Sequence, residues 1–204
     1  MNDLHKALGD ISTIRKQVAR STEFRGYGPA TMVTTAASAV IAAGAQSYWV
    51  VNPASQVRAY LSIWVWTACL SAALIGAQMQ TRTRRIHSGL ADEMIRMAVE
   101  QFLPSAIAGF FVTVALVRFA PSELWMLPGL WQIIFSLGVF SSCRFLPRPM
   151  LMAGAWYLLT GLVCIALGGN HALSPWAMGI PFGVGQLLVA AILFFTATDA
   201  ADEN

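Results

Sequence analysis

The stretch from Pro149 to Thr198 contains no acidic or basic residue except His171, and it constrains the fold more than any other feature. The stretch is too long for one membrane helix, and a soluble domain of this size would carry charged side chains on its surface. A segment rich in turn-forming residues, from Gly168 to Pro175, divides it into two apolar spans. Over the whole chain, 56% of residues are hydrophobic and 11% are charged. We therefore predict that most of the chain lies in a lipid bilayer.

Four further apolar runs precede this stretch and bring the number of predicted transmembrane helices to six. They cover residues 30–51, 59–80, 101–117 and 124–143. The third run is the weakest, because Glu100 and Arg118 bound it closely and leave it only marginally long enough to cross. The predicted fold class is all-α, a polytopic membrane protein of six helices arranged as three antiparallel hairpins.

Residues 1–25 are polar and basic, and they are predicted to form an amphipathic cytoplasmic helix. Their apolar residues recur at helical spacing on one narrow stripe, and most of the basic residues lie off that stripe. The predicted domain division is therefore 1–25 for this helix, 26–198 for the transmembrane domain and 199–204 for an acidic cytoplasmic tail.

The orientation follows from the unequal distribution of lysine and arginine between alternate loops. These residues concentrate in the N-terminal segment and in loops 81–98 and 144–149, whereas the opposite loops hold only Arg58 and Arg118. Because cytoplasmic loops carry the excess of basic residues, both termini are predicted to be cytoplasmic.

Several classes of function are disfavoured by what the predicted spans contain. They have no Asp, Lys or His near mid-membrane, which argues against a proton relay, a voltage sensor or a carboxylate-based cation transporter. Phosphate-binding, nucleophile-elbow and zinc-protease motifs are absent from the sequence, and intramembrane haem ligands are not expected. We therefore expect no catalytic residue, metal or cofactor. A lipid-acting enzyme would have to use Glu93, Glu100 or His87.

Two glutamines at depth, Gln132 and Gln186, are candidate polar groups of a ligand cavity. Both lie on helices that return from the outer side, and an amide needs several hydrogen-bond partners. The alternative is ordinary hydrogen bonding between helices. The pair Gly179 and Gly183 has the spacing of close helix packing, within one molecule or between copies.

Basic residues on the predicted cytoplasmic side are candidate contacts for anionic headgroups or for a protein partner. They are Arg15, Lys16, Arg20, Arg82, Arg84, Arg85 and Arg96. Glu100 and Gln101 lie where the preceding loop re-enters the bilayer, and they are candidates for coupling that loop to the membrane domain. For Glu100 the alternative is simple stabilisation of a helix N-terminus.

Four short stretches resemble a family of small bacterial inner-membrane proteins. They are EQFLPSAIAG at 100–109, LPGLWQ at 127–132, RFLPR at 144–148 and AWYLL at 155–159. The resemblance implies a bacterial inner-membrane location. It also implies a regulatory or sensory role, because such proteins are encoded beside small winged-helix regulators. It identifies no functional residue.

The function predicted from the sequence is a non-enzymatic inner-membrane protein whose basic cytoplasmic face docks a partner, in a regulatory or sensory role. The alternative is a small transporter, or a transporter subunit, for a neutral or lipophilic solute. The expected partners are the lipid bilayer and a cytoplasmic protein, with a homo-oligomer left open and no direct nucleic-acid binding.

Overall fold

The computed structural model describes residues 28–86, 89–143 and 146–202, so the predicted amphipathic helix at 1–25 lies outside the described residues. Regular structure in the described ranges is entirely helical. The six long helices are α1 (Pro29–Trp49), α2 (Val57–Ile86), α3 (Gly89–Phe119), α4 (Leu127–Ser142), α5 (Met150–Leu167) and α6 (Trp176–Asp202). A 3-10 helix, Pro121–Met126, precedes α4, and one helical turn, Gly169–Ala172, lies between α5 and α6.

Five segments of the described chain are long and apolar enough to cross a membrane: Val57–Thr81, Val99–Phe119, Pro121–Ser142, Met150–Leu167 and Pro175–Thr196. The predicted all-α class is confirmed, and these segments indicate a multi-pass membrane protein. The third predicted span, expected to be the weakest, extends beyond its uncharged run and is among them. Helix α1 is not, because alanine, serine and threonine, which are only weakly hydrophobic or polar, make up much of it. Six spans therefore stay a prediction.

The connection between α5 and α6 is built on glycine. Helix α5 ends at Gly168, whose φ of 61° lies in the left-handed region, and Gly169 follows with a φ of 50°. Glycine tolerates this region because it has no Cβ, and it ends helices in this way very often. The turn brings the chain back over the bundle, so that Leu173 and Ala177 present backbone carbonyls to other helices.

Helix α1 packs against α2 and α6, α4 packs against α3 and α5, and α5 packs against α6. The contact between α1 and α6 uses small residues: Gly179 faces Ala43, and Gly183 faces Val40. A Cβ at Gly179 would overlap the side chain of Ala43. These two glycines therefore permit close packing within one molecule.

The helices differ greatly in how much of their surface the bundle covers. Among the 18 most apolar consecutive residues of Pro175–Thr196, 44% are buried in the bundle. The buried share of the corresponding residues is 11% in Val57–Thr81 and 0% in Val99–Phe119. Helices α2 and α3 also make few contacts with each other. The packed centre consequently lies between α1, α4, α5 and α6, with α2 and α3 at the periphery.

Candidate functional site

The buried polar side chains of the described residues are all uncharged: Thr35, Gln46, Gln132, Ser136 and Ser142. The three hydroxyl groups donate to carbonyls three or four residues earlier in their own helices. Such local bonds satisfy the hydroxyl without joining two helices. The two glutamines differ, because each reaches another part of the bundle.

Gln46 ties three parts of the bundle together and has a partner on both ends of its amide. Its Nε2 donates to the Leu173 carbonyl at 2.9 Å, and its Oε1 accepts from Trp64 Nε1 at 2.6 Å. The residue is 0% exposed. These bonds join α1, α2 and the turn before α6, so the amide acts as a structural crosslink.

Gln132 makes a matching bond to α6 but keeps one free acceptor. Its Nε2 donates to the Ala177 carbonyl at 2.8 Å. In a regular helix that carbonyl would accept from the residue four positions later, which is Pro181 and has no N–H. Gln132 therefore supplies the donor that the proline removes. Its Oε1 is buried and has no hydrogen-bond partner.

The carbonyl of Pro181 also accepts a bond from a neighbouring helix. Trp156 Nε1, on α5, donates to it at 2.9 Å. One turn further along α6, Gly185 lies against the phenol of Tyr157, and any Cβ at this position would overlap the ring. The segment of α6 around Pro181 is thus where α4 and α5 are held against it.

Tyr157 lies at the centre of an aromatic cluster formed by α3, α4, α5 and α6. Its ring centroid is 4.8 Å from that of Phe135 and 5.2 Å from that of Phe182, and Phe135 lies 5.3 Å from Phe102. Tyr157 is 0% exposed, and its hydroxyl has no hydrogen-bond partner. The half-buried Gln186 lies close enough to this hydroxyl to interact with it.

Tyr60 carries the third buried oxygen without a partner. The residue is 3% exposed and belongs to an apolar cluster with Trp64, Leu173 and Met178. Phe182 packs against the same cluster and also contacts Tyr157, so it connects the surroundings of the two tyrosines.

The three unpaired oxygens belong to three different helices: Tyr60 Oη to α2, Gln132 Oε1 to α4 and Tyr157 Oη to α5. Gln132 packs against Gly161 of α5. Gly161 lies about one helical turn after Tyr157, so Gln132 and Tyr157 belong to neighbouring layers of the bundle.

This arrangement suits an uncharged, hydrogen-bonding molecule. A buried polar atom without a partner costs about 1–3 kcal/mol, so a molecule that satisfies it gains most of that free energy. A charged ligand would meet no counter-charge among the buried polar residues of the described ranges. In the same ranges, no three His, Cys, Asp or Glu side chains come together as a metal site requires.

The residues predicted from the sequence are only partly brought together. Gln132 and Gln186 both belong to this region, Gln132 with a free acceptor and Gln186 beside Tyr157. Glu100 is exposed, and the Gln101 carbonyl accepts from Ser141 Oγ at 3.0 Å, which ties the start of the α3 span to the end of α4. The side chains of the basic residues lie outside the described part: Arg15, Lys16, Arg20, Arg82, Arg84, Arg85 and Arg96.

Gln46, Tyr60 and Tyr157 are absent from the residues predicted from the sequence. Gln46 lies two positions before the interfacial pair Tyr48 and Trp49, where an amide is unremarkable. The available signal was its position within a helix otherwise free of large polar side chains, the same signal that marked Gln132. The tyrosines carried no such signal, because a phenol can also lie at the membrane interface.

A concave surface lies on the outside of the bundle, between α1 and α6. It has a volume of about 480 Å³ and apolar walls that include Val40, Trp176 and Leu187. Gly179 and Gly183, the small residues of the helix contact, also line it. None of the three unpaired oxygens belongs to a residue that lines it.

Comparison with protein families, with curated proteins and with solved structures finds no match to this chain. The function is therefore inferred from the residues themselves, and the family resemblance seen in the four short stretches stays a prediction.

Proposed function

We propose that the protein is a non-enzymatic, six-span membrane protein that binds a small neutral or lipophilic ligand inside its helix bundle. It would report the bound state to a partner at its basic cytoplasmic side, which is a sensory or regulatory role. The observation that carries the proposal is the set of three buried oxygens without partners in an otherwise apolar interior. Native proteins rarely leave such groups unpaired, and a bound ligand would supply the missing partners.

The packing of α1 supports a sixth span. Its first turns pack with the end of α6, through Met32, Ala190 and Leu193, and its last turns pack with the start of α6, through Ala43 and Met178. Helix α1 therefore runs alongside α6 over the length of the apolar segment Pro175–Thr196. If α6 crosses the bilayer, α1 has to cross with it.

A physical route for reporting runs from the site to the predicted cytoplasmic end of α3. Tyr157 contacts Phe135, which contacts Phe102, and Phe102 lies two residues after Glu100. A ligand that moves the Tyr157 ring changes the packing of this row of aromatic side chains. The row ends beside Glu100 and Gln101, where the basic loop is predicted to join the membrane domain.

The direct test is to purify the full chain from its native membrane into lipid nanodiscs and to identify what remains bound. Native mass spectrometry is expected to detect a small uncharged molecule at about one copy per chain. Affinity purification is expected to recover a cytoplasmic protein, and deletion of residues 1–20 is expected to reduce that recovery. If only bulk lipid and monomer are recovered, and the deletion changes nothing, the proposed role is wrong.

The weak contact between α2 and α3 favours transport as a second candidate function. A gap between these helices would admit a solute laterally from the bilayer to the interior face of α5. Proteoliposome uptake of the co-purified molecule tests this: transport requires directional accumulation or exchange, whereas a sensor only binds. A disulfide that joins α2 to α3 should block uptake if this is the entry side.

A further inference from the structure

We propose that residues 169–178 form a gate over one end of the helix bundle. Its hinges are Gly168 and Pro181. The side-chain amides of Gln46 and Gln132 hold it closed, and we call these two residues the latch residues. The gate contains the turn between α5 and α6 and the first residues of α6. This inference rests on the proposed function, because it names the movement that opens the same interior site to a ligand.

The two ends of the gate are points at which the backbone can turn easily. At one end, Gly168 and Gly169 have φ angles of 61° and 50°, in the left-handed region that glycine enters at little cost. At the other end, Pro181 has no N–H to donate to the Ala177 carbonyl, so α6 can bend there. Trp156 Nε1 donates to the Pro181 carbonyl at 2.9 Å, which fixes the helix at this point. Hinged segments commonly move by rotation at a few such positions.

Both latch residues come from other helices and bond to backbone carbonyls of the gate. Gln46, on α1, donates to the Leu173 carbonyl at 2.9 Å. Gln132, on α4, donates to the Ala177 carbonyl at 2.8 Å. Residues 169–171 of the gate are exposed at the predicted outer side, so water can replace either amide as the partner of its carbonyl. The two bonds can therefore break and re-form.

Met178 is the part of the gate that covers the interior site. Its side chain is 3% exposed and belongs to the same apolar cluster as Tyr60 and Trp64. Its sulfur lies 3.9 Å from Gln132 Nε2. Tyr60 Oη and Gln132 Oε1 are two of the three buried oxygens without partners. Movement of Met178 therefore uncovers both residues for an entering molecule.

A native cysteine lies against the gate and can report its opening. Cys164 is buried, and its Sγ lies 3.8 Å from the carbonyl oxygen of Ala172, which belongs to the gate. A water-soluble thiol reagent reaches this sulfur when the gate is open, so the labelling rate follows the open population. Cys143 packs against the cluster of Met32 and Leu193 at the other end of the bundle. Its labelling reports loosening of the bundle as a whole.

The test uses the full chain in lipid nanodiscs and a charged methanethiosulfonate reagent, with the labelling of each cysteine read by mass spectrometry. Gln46→Leu and Gln132→Leu each remove one hydrogen bond to the gate. Each variant is expected to raise the labelling rate of Cys164 about tenfold, the effect of losing one buried hydrogen bond. Pro181→Ala restores the missing N–H and stiffens a hinge, so it is expected to slow this labelling several-fold.

The matched control is a third glutamine at the other end of the bundle. Gln78 Oε1 accepts from the backbone N–H of Gly28 at 2.9 Å, so Gln78→Leu also removes one bond between an amide side chain and the backbone. This variant should label Cys164 at the rate of the unmodified protein. If Gln46→Leu does not fold, Gln132→Leu and Pro181→Ala decide the question.

Faster labelling of Cys164 in the latch variants, with Cys143 unchanged, supports the gate. The gate is overturned if these variants label Cys164 no faster than Gln78→Leu does, if Cys143 accelerates equally, or if Pro181→Ala does not slow the reaction. A co-purified small molecule together with such a result leaves the proposed function standing. Labelling that depends on the latch residues, with no co-purified molecule, supports the gate and contradicts the proposed function.

Discussion

Two buried glutamines of this protein have similar positions in the bundle but different hydrogen-bond partners. Gln46 and Gln132 are both 0% exposed, and each donates its amide N–H to a backbone carbonyl before or within the first turns of α6. The Gln46 oxygen accepts from Trp64, whereas the Gln132 oxygen has no partner. The Gln46 amide is therefore bonded at both ends, and the Gln132 amide is bonded at one end.

The comparison shows that burial of a polar group does not by itself indicate function. A fully bonded amide holds helices together and leaves nothing to bind a ligand. An amide bonded at one end is held in position by that bond, so its free end is presented in a fixed direction. This combination of a fixed donor and a free acceptor is what a binding site for an uncharged ligand needs.

The largest effect is expected for Gln46→Leu. The substitution leaves Trp64 Nε1 and the Leu173 carbonyl buried without partners, which should lower the free energy of unfolding by about 2–4 kcal/mol. Unfolding in mixed micelles, followed by tryptophan fluorescence, measures the loss. A change below about 0.5 kcal/mol would mean that the crosslink contributes no more than an average membrane hydrogen bond.

A smaller loss is expected for Gly185→Ala, which adds a Cβ that overlaps the Tyr157 ring. Overpacking of this kind costs about 1–3 kcal/mol. Because the ring has to move, binding of the co-purified ligand should fall together with stability. Alanine at Gly44, where a Cβ meets nothing within 4 Å, is the matched control and should change neither quantity.

A still smaller loss of stability is expected for Gln132→Leu. This variant tests the difference between the two glutamines most directly. The Ala177 carbonyl loses its donor, but the unpaired Oε1 is removed with the amide, so the net cost should be about 1 kcal/mol. Ligand binding should be lost. If Gln132→Leu is as damaging as Gln46→Leu in the absence of ligand, the distinction between the two amides is wrong.

The smallest effect, of opposite sign, is expected for Tyr157→Phe and Tyr60→Phe without ligand. Each removes a buried hydroxyl that has no partner, so the free energy of unfolding should be unchanged or up to about 1 kcal/mol higher. The same micelle titration, with Tyr48→Phe beside it, measures the difference. A clear loss of stability would show that the hydroxyl is bonded in the protein, to water or to a neighbouring side chain.

The sequence alone was enough to predict long apolar helices and a place for Gln132 at depth. In a bilayer every backbone polar group has to be bonded within the protein, so apolar runs of this length become helices wherever their side chains point. It was not enough to separate Gln46 from Gln132, since both are amides in apolar helices. It was also not enough to show that the small residues Gly179 and Gly183 face α1.

What only the tertiary structure decided is which polar atoms find partners. The carbonyl that Gln46 reaches is 127 residues away in the chain, and the carbonyl that Gln132 reaches is 45 residues away. No local pattern encodes such pairings, because they depend on how the helices pack around one another. Hydropathy determined where this chain meets lipid. Helix packing left one oxygen each of Tyr60, Gln132 and Tyr157 buried without a partner.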